Sequence, residues 1–263
     1  MNRIWRDRMA AAWRKIRFVW AITGTVALVA FVVWSWWGFS ANRTAIAALE
    51  DSADVRVTAA ERYWQFTPLA SAASFRQLLF YPGGMVDPVA YAPLAHALAA
   101  QGYFVTLVKL PRRGAFGGAD DAEVFVNARA AMEASASKAP WVVAGHSKGG
   151  AVAARMARED SNGLVAVVLL GTSHPRDFSL ADSPLAFTQV LADRDPIASL
   201  ERANRNRHNL PAHTRRIVIK GGNHSQFGEY GFQPGDRFAH ITRDTQRDQI
   251  VAALRDVLTN PTH

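Results

Sequence analysis

Cysteine is absent from all 263 residues. That excludes disulfides, zinc–thiolate centres and a cysteine nucleophile. Internal repeats and low-complexity tracts are also missing, so the chain is neither a solenoid nor a disordered array. A strong positive field is missing from most of the chain as well, despite a net charge of +8. The first 17 residues hold six basic side chains against one acidic, which leaves only +3 for the other 246. A globular part so weakly charged argues against a nucleic-acid partner.

Charge is wholly absent from residues 18–39, a run of 22 residues. At ~1.5 Å per residue the run spans ~33 Å, enough to cross a bilayer core of ~30 Å. Trp20 stands near one end, and Trp34, Trp36 and Trp37 cluster near the other, as interfacial belts place indoles. The basic residues precede the run, which predicts a cytoplasmic N-terminus and an extracytoplasmic remainder. A cleaved signal peptide is the rival reading. Its apolar core would be shorter and end in a small-x-small site; Phe39-Ser40-Ala41 is a poor match, and Ala45-Ile46-Ala47 fits but lies far from the run. The expected organisation is a basic tail at 1–17, a membrane anchor at 18–39, a polar stalk at 40–54 and a globular domain at 55–263.

Within that domain, 55–58 and 63–66 alternate apolar with polar and predict an antiparallel strand pair. From residue 75 onward, strands and helices alternate. Strands are expected at 75–80, 103–110, 141–144, 164–170, 187–191 and 216–220. Helices are expected at 88–100, 120–135, 151–158 and 242–258. Such alternation predicts a mostly parallel sheet with helices on both faces. Ligands of these sheets bind beyond the carboxyl ends of the strands. The glycine-rich and polar segments after those ends, at Tyr81, Gly145, Gly171, Asp193 and Gly221, should share one rim.

Residues 141–150 read WVVAGHSKGG. An apolar strand runs into G-x-S-x-G and then into a helix. That context makes Ser147 a nucleophile on a strained strand-to-helix turn, with glycines where side chains would clash. The backbone N–H of Lys148, at the helix start, is placed to stabilise an oxyanion. A serine needs a base and a group to orient that base. His224, in GGNHS just past the last expected strand, is the best base. His208 and His213 are expected to face solvent, His146 to pack beside the turn, and His174 to line a pocket. The acid lies in Asp193-Arg194-Asp195-Pro196. Asp195 is favoured by its position in the loop, further beyond the strand end, and Pro196 holds it extended, whereas Asp193 suits a turn cap. After the strand at 75–80, Gly83-Gly84-Met85 offers a second oxyanion donor, Gly84 before Met85. The segment 229–236 reads as an ordered loop beside the site.

These stretches resemble the α/β-hydrolase superfamily over residues 75–258. Most telling are YPGGMVDPVAYAPLAHALAAQGY, GHSKGG, ADRDPIAS and GGNHSQFGEYGFQPGD. They are similar to a bacterial branch of small serine hydrolases. The resemblance implies a Ser147–Asp195–His224 triad, oxyanion donors near Gly84 and Lys148, no cofactor or metal, and a small acyl substrate cleaved at an ester or related bond. Lys148 departs from the hydrophobic residue more usual there and sets a charge at the pocket mouth. The short segment 172–184 leaves no room for a large lid. A non-catalytic binding module of the same fold, tethered to the membrane, is the second reading.

Overall fold

The computed structural model describes residues 3–70 and 76–260. It divides into two units, residues 1–38 and 39–263. The first is one helix, α1 (Arg3–Gly38), which begins in the basic tail and continues through the uncharged run. Its stretch Arg8–Gly38 is long and apolar enough to cross a membrane. Its apolar side chains, Trp20 and Trp37 among them, are exposed.

The second unit opens on a short helix, α2 (Arg43–Ala47), capped by the Asn42 side chain. Residues 40–54 were expected as a stalk, but they pack on the domain. Ala45 is fully buried. Asn42 donates from its backbone and side chain to Glu229, at 2.9 and 2.8 Å. The sequence between these partners hides the contact, since they lie 187 positions apart.

Eight strands follow: β1 (Val55–Ala59), β2 (Tyr63–Pro68), β3 (Gln77–Tyr81), β4 (Val105–Val108), β5 (Trp141–His146), β6 (Leu164–Leu170), β7 (Ala186–Ala192) and β8 (Arg215–Ile219). They form one sheet in the order β1-β2-β4-β3-β5-β6-β7-β8. β1 and β2 are antiparallel to each other, and β2 to β4. From β4 to β8 every pairing is parallel. Phe75, where β3 was expected to begin, lies outside the described residues.

Side chains alternate between two buried layers, as a period of two demands. Leu78, Phe80, Val142, Ala144, Val168 and Val190 pack with α3 (Ala92–Ala99) and α7 (Arg243–Thr259). Leu79, Tyr81, Val143, Val167 and Leu169 face α4 (Glu123–Glu133) and α5 (Lys148–Glu159). The helix expected over 88–100 divides in two. Asp87 caps a 3-10 turn, Pro88–Tyr91, and α3 starts after it with Pro93 in its first turn. Proline fits a helix start because it lacks the N–H that a first turn leaves unpaired. The remaining helix, α6 (Leu200–Arg205), follows the acid loop. The carboxyl ends of β3, β5, β6, β7 and β8 therefore stand in a row along one rim.

Candidate active site

β5 lies between β3 and β6, and all six of its residues are buried. It ends in Ser147, at φ 53° and ψ −115°. A non-glycine residue there costs ~1–3 kcal/mol unless its surroundings impose it. They do impose it. The Ser147 N–H donates to the Leu170 carbonyl at 2.9 Å. A Cβ on Gly145 would sit 2.2 Å from the Gly149 carbonyl oxygen. A Cβ on Gly149 would sit 2.3 Å from the carbonyl oxygens of both Tyr81 and Pro82. The turn is thus closed against α5 on one side and the end of β3 on the other. α5 starts at Lys148, whose N–H has no partner within its helix.

His224 follows β8 and is fully buried. Its Nδ1 lies 2.7 Å from Asp195 Oδ2. A carboxylate only accepts, so Nδ1 carries the hydrogen and Nε2 keeps its lone pair. The other carboxylate oxygen accepts from the N–H groups of Ile197 and Ala198, both at 2.8 Å. Those bonds repay the burial of a charge that is only 3 % exposed. Nε2 of His224 is buried and has no hydrogen-bond partner, so Ser147 and His224 are not joined by a hydrogen bond here. Asp193, the competing acid, turns elsewhere. Its Oδ1 accepts the Gly221 N–H at 2.7 Å, and the next N–H, that of Arg194, donates to the Gly222 carbonyl at 3.0 Å. Asp193 therefore staples the acid loop to the histidine loop, and Asp195 reaches the ring.

Three further groups hold this arrangement, and sequence reasoning did not single them out. Asp236 accepts from the N–H of His224 at 3.2 Å and from the N–H and hydroxyl of Ser225 at 2.7 and 2.6 Å. It belongs to the segment 229–236, which is ordered beside the site as expected. Tyr91 accepts the Gly83 N–H at 3.0 Å, so its own hydrogen is free for His146 Nδ1 at 2.8 Å. Phe227 stacks on the His146 ring, with centroids 5.0 Å apart. The local sequence carried a weak signal for Asp236, in a loop rich in turn residues. It carried none for Tyr91, which reads as a core aromatic.

His146 packs beside the turn, as expected, and its ring centroid is 4.6 Å from that of His224. Burial first, and then the neighbouring His224, hold its protonation well below the usual histidine range. His208 and His213 are exposed, as expected. Of the two N–H groups considered after β3, that of Met85 is taken by the Arg113 carbonyl at 2.7 Å. That of Gly84 has no partner among the described residues, and Gly84 lies against the Lys148 side chain.

A cavity of about 160 Å³ opens beside Ser147, lined by Lys148, Thr172, His174, Arg176 and Ile197 among others. A larger one, of about 620 Å³, lies at the opposite strand ends, by Leu164, Phe187 and Arg215. Ligands in parallel sheets bind at the carboxyl ends, so the smaller cavity is the relevant one. Among the described residues no cluster of His, Asp and Glu is suited to a metal ion.

A mostly parallel sheet with a strained serine turn at its centre defines a class of fold. The sequence places the chain within that class directly. Residues 77–248 match the model of the alpha/beta hydrolase family, and the chain belongs to that family. Solved structures agree on the fold. The chain is similar to XC6422 from Xanthomonas campestris, described as an a/b serine hydrolase without lid, at 14 % identity and a TM-score of 0.54, covering 80 % of this chain and 98 % of that one. It is similar to the esterase Rv0045c from Mycobacterium tuberculosis, at 14 % identity and a TM-score of 0.53, covering 81 % and 94 %. A dienelactone hydrolase from Anabaena variabilis matches at 16 % identity and a TM-score of 0.56, covering 76 % and 96 %. No curated protein matches the chain.

Proposed function

We propose that this hydrolase is a membrane-anchored serine esterase working through Ser147, His224 and Asp195. One observation carries the reading. A buried Asp195–His224 pair, with Nε2 left as an open lone pair, shares a rim with a serine held in a strained turn. In the reaction, Ser147 Oγ attacks the acyl carbonyl and its proton passes to His224 Nε2. The C–O bond to the alcohol breaks, and the imidazolium returns the proton to the leaving oxygen. Water repeats the sequence on the acyl-enzyme and releases the acid. Asp195 stabilises the imidazolium without taking its proton. The Ser147–His224 bond tightens only with substrate in place, as is common for catalytic contacts. The N–H groups of Gly84 and Lys148 receive the oxyanion.

The serine is tested by Ser147→Ala. Hydrolysis of short acyl esters by the full-length chain should fall by ~10⁶, as with loss of a triad nucleophile elsewhere. Retention of half the activity would refute the assignment. The anchor rests on the apolar helix and the basic residues before it. A periplasm-active reporter fused after residue 263 should give signal. A signal from a cytoplasm-only reporter would reverse the topology, and release of a soluble form would show cleavage.

A further inference from the structure

The cavity beside Ser147 is lined by two cations and no carboxylate. Lys148 forms part of its wall and extends to Asp120, with Nζ 3.2 Å from Oδ2. That carboxylate is 63 % exposed and is shared with Arg155, also at 3.2 Å. Arg155 also stands 3.9 Å from Glu159, and the only carboxylate paired with Lys148 among the described residues is the exposed, solvent-screened Asp120. Arg176 also lines the cavity. Its Nε and Nη2 both donate to the hydroxyl of Ser173, at 3.2 and 2.8 Å. Ser173 is buried and neutral, so it fixes the guanidinium without discharging it. Among the described residues, no carboxylate forms an ion pair with Arg176.

His174 lines the same cavity. Its protonation is pushed down to about 4, by burial first and then by Arg176 and Lys148. Asp177 and Asp120 act in the opposite direction and more weakly. Size is informative as well. About 160 Å³ is close to the ~150 Å³ of a cavity that holds one benzene, so the space beside Ser147 surrounds only a small part of a substrate. An apolar pocket of that size would suit a short alkyl group. This one is lined by Lys148 and Arg176 instead.

We propose that the preferred substrate is a short ester carrying a carboxylate away from the scissile bond, with Lys148 and Arg176 reading that charge. The proposal rests on the serine-esterase reading. The reaction is ordinary hydrolysis: water adds across the ester C–O bond, giving an acid and an alcohol, with no change of oxidation state.

The test compares isosteric pairs on the full-length chain in detergent. Monomethyl succinate, with the charge in the acyl part, is set against methyl levulinate, in which a methyl ketone replaces the carboxylate. Acetoxyacetate, with the charge in the alcohol part, is set against acetoxyacetone. For at least one pair, kcat/KM should favour the anion roughly tenfold, the effect of one charge-assisted hydrogen bond in a partly exposed site. That ratio should fall toward one in Arg176→Gln, and in Lys148→Gln, which keeps its backbone N–H. Which pair shows the preference assigns the charge to the acyl or the alcohol side. A ratio at or below one for both pairs overturns the proposal. So does a preference untouched by both variants, or no Ser147-dependent turnover of either anion. Fluorophosphonate labelling of Ser147 separates the two levels. Labelling that persists when the preference fails leaves the esterase reading standing, and absence of labelling removes both.

Discussion

Ser147 and Phe116 both have positive φ, 53° and 47°. Around Ser147 the sheet imposes the torsion, because backbone from β3, β6 and α5 closes on the turn from three sides. Phe116 belongs to a surface loop that follows β4, and it is 95 % exposed. Arg112 and Arg113 share its left-handed torsions, and short backbone bonds hold the loop, such as Ala115 N–H to the Arg112 carbonyl and Gly118 N–H to the Ala115 carbonyl. Distant backbone encloses Ser147 itself, whereas the second loop is tied back through Arg113, to Met85 and Asp87, and leaves Phe116 in solvent. Unusual torsions alone therefore do not mark a site. Torsions that distant backbone enforces, beside a buried aspartate–histidine hydrogen bond, do.

The contrast is sharpest in the chemistry that the rigid rim supports. Asp195→Asn should lower turnover by ~10⁴, in line with loss of a triad acid elsewhere. Asp193→Asn should cost far less, since that side chain only caps the Gly221 N–H. Turnover of both purified variants, with a melt of each to remove folding effects, decides it. A larger loss at Asp193 would break the assignment.

Next comes the packing itself. Gly149→Ala drives a Cβ to within 2.3 Å of two carbonyl oxygens that cannot yield without moving β3. It should destabilise the fold by ~3–5 kcal/mol, at the upper end of what overpacking costs. Gly117→Ala, in the loop, meets nothing within 4 Å but keeps a φ of 77°. It should cost about 1 kcal/mol, from the torsion alone. Urea unfolding of the pair measures the gap, and equal losses would erase the distinction.

Acid should weaken the rim through its neutral histidines. His146 and His174 both have protonation lowered by burial. The unfolded chain binds these protons near pH ~6.5, and the folded chain resists them. The unfolded state then holds more protons, so stability falls as pH drops from ~6.5 toward 4. The slope is at most about 1.4 kcal/mol per pH unit for each histidine, and less for the partly exposed His174. Stability of His174→Gln, measured at pH 7.5, 6 and 5, should show a shallower decline than the parent. Parallel curves would contradict the sign. The smallest effect belongs to Phe116→Ala, which touches no buried neighbour and should move the melt by less than about 0.5 kcal/mol.

Much of this was legible in the sequence. β6 matches the expected 164–170 at both ends, because an uninterrupted apolar run flanked by turn residues admits one reading. The strand–turn–helix around Ser147 was legible for the same reason, sharpened by glycines that only a tight turn requires. What stayed hidden depends on partners distant in sequence. Tyr91 meets His146 across 55 positions, and residues 40–54 fold onto the domain through Glu229. The division of 88–100 into a 3-10 turn and α3 was also hidden. Its apolar pattern is continuous, and only Pro93, in the first turn of α3, marks the break. The choice of Asp195 over Asp193 lay between these cases. Proline restricted one residue and turn chemistry suited the other, and the Gly221 N–H provided the cap that Asp193 makes.

Ser147 Oγ is the atom proposed to bond to substrate. Intact-protein mass spectrometry after treatment with a fluorophosphonate tests this directly, with the modified peptide sequenced. The full-length chain should gain one adduct, carried by Ser147. The adduct should vanish in Ser147→Ala, form slowly in Asp195→Asn and form at the parent rate in Asp193→Asn. An adduct on any other residue, or one that persists in Ser147→Ala, would contradict the account.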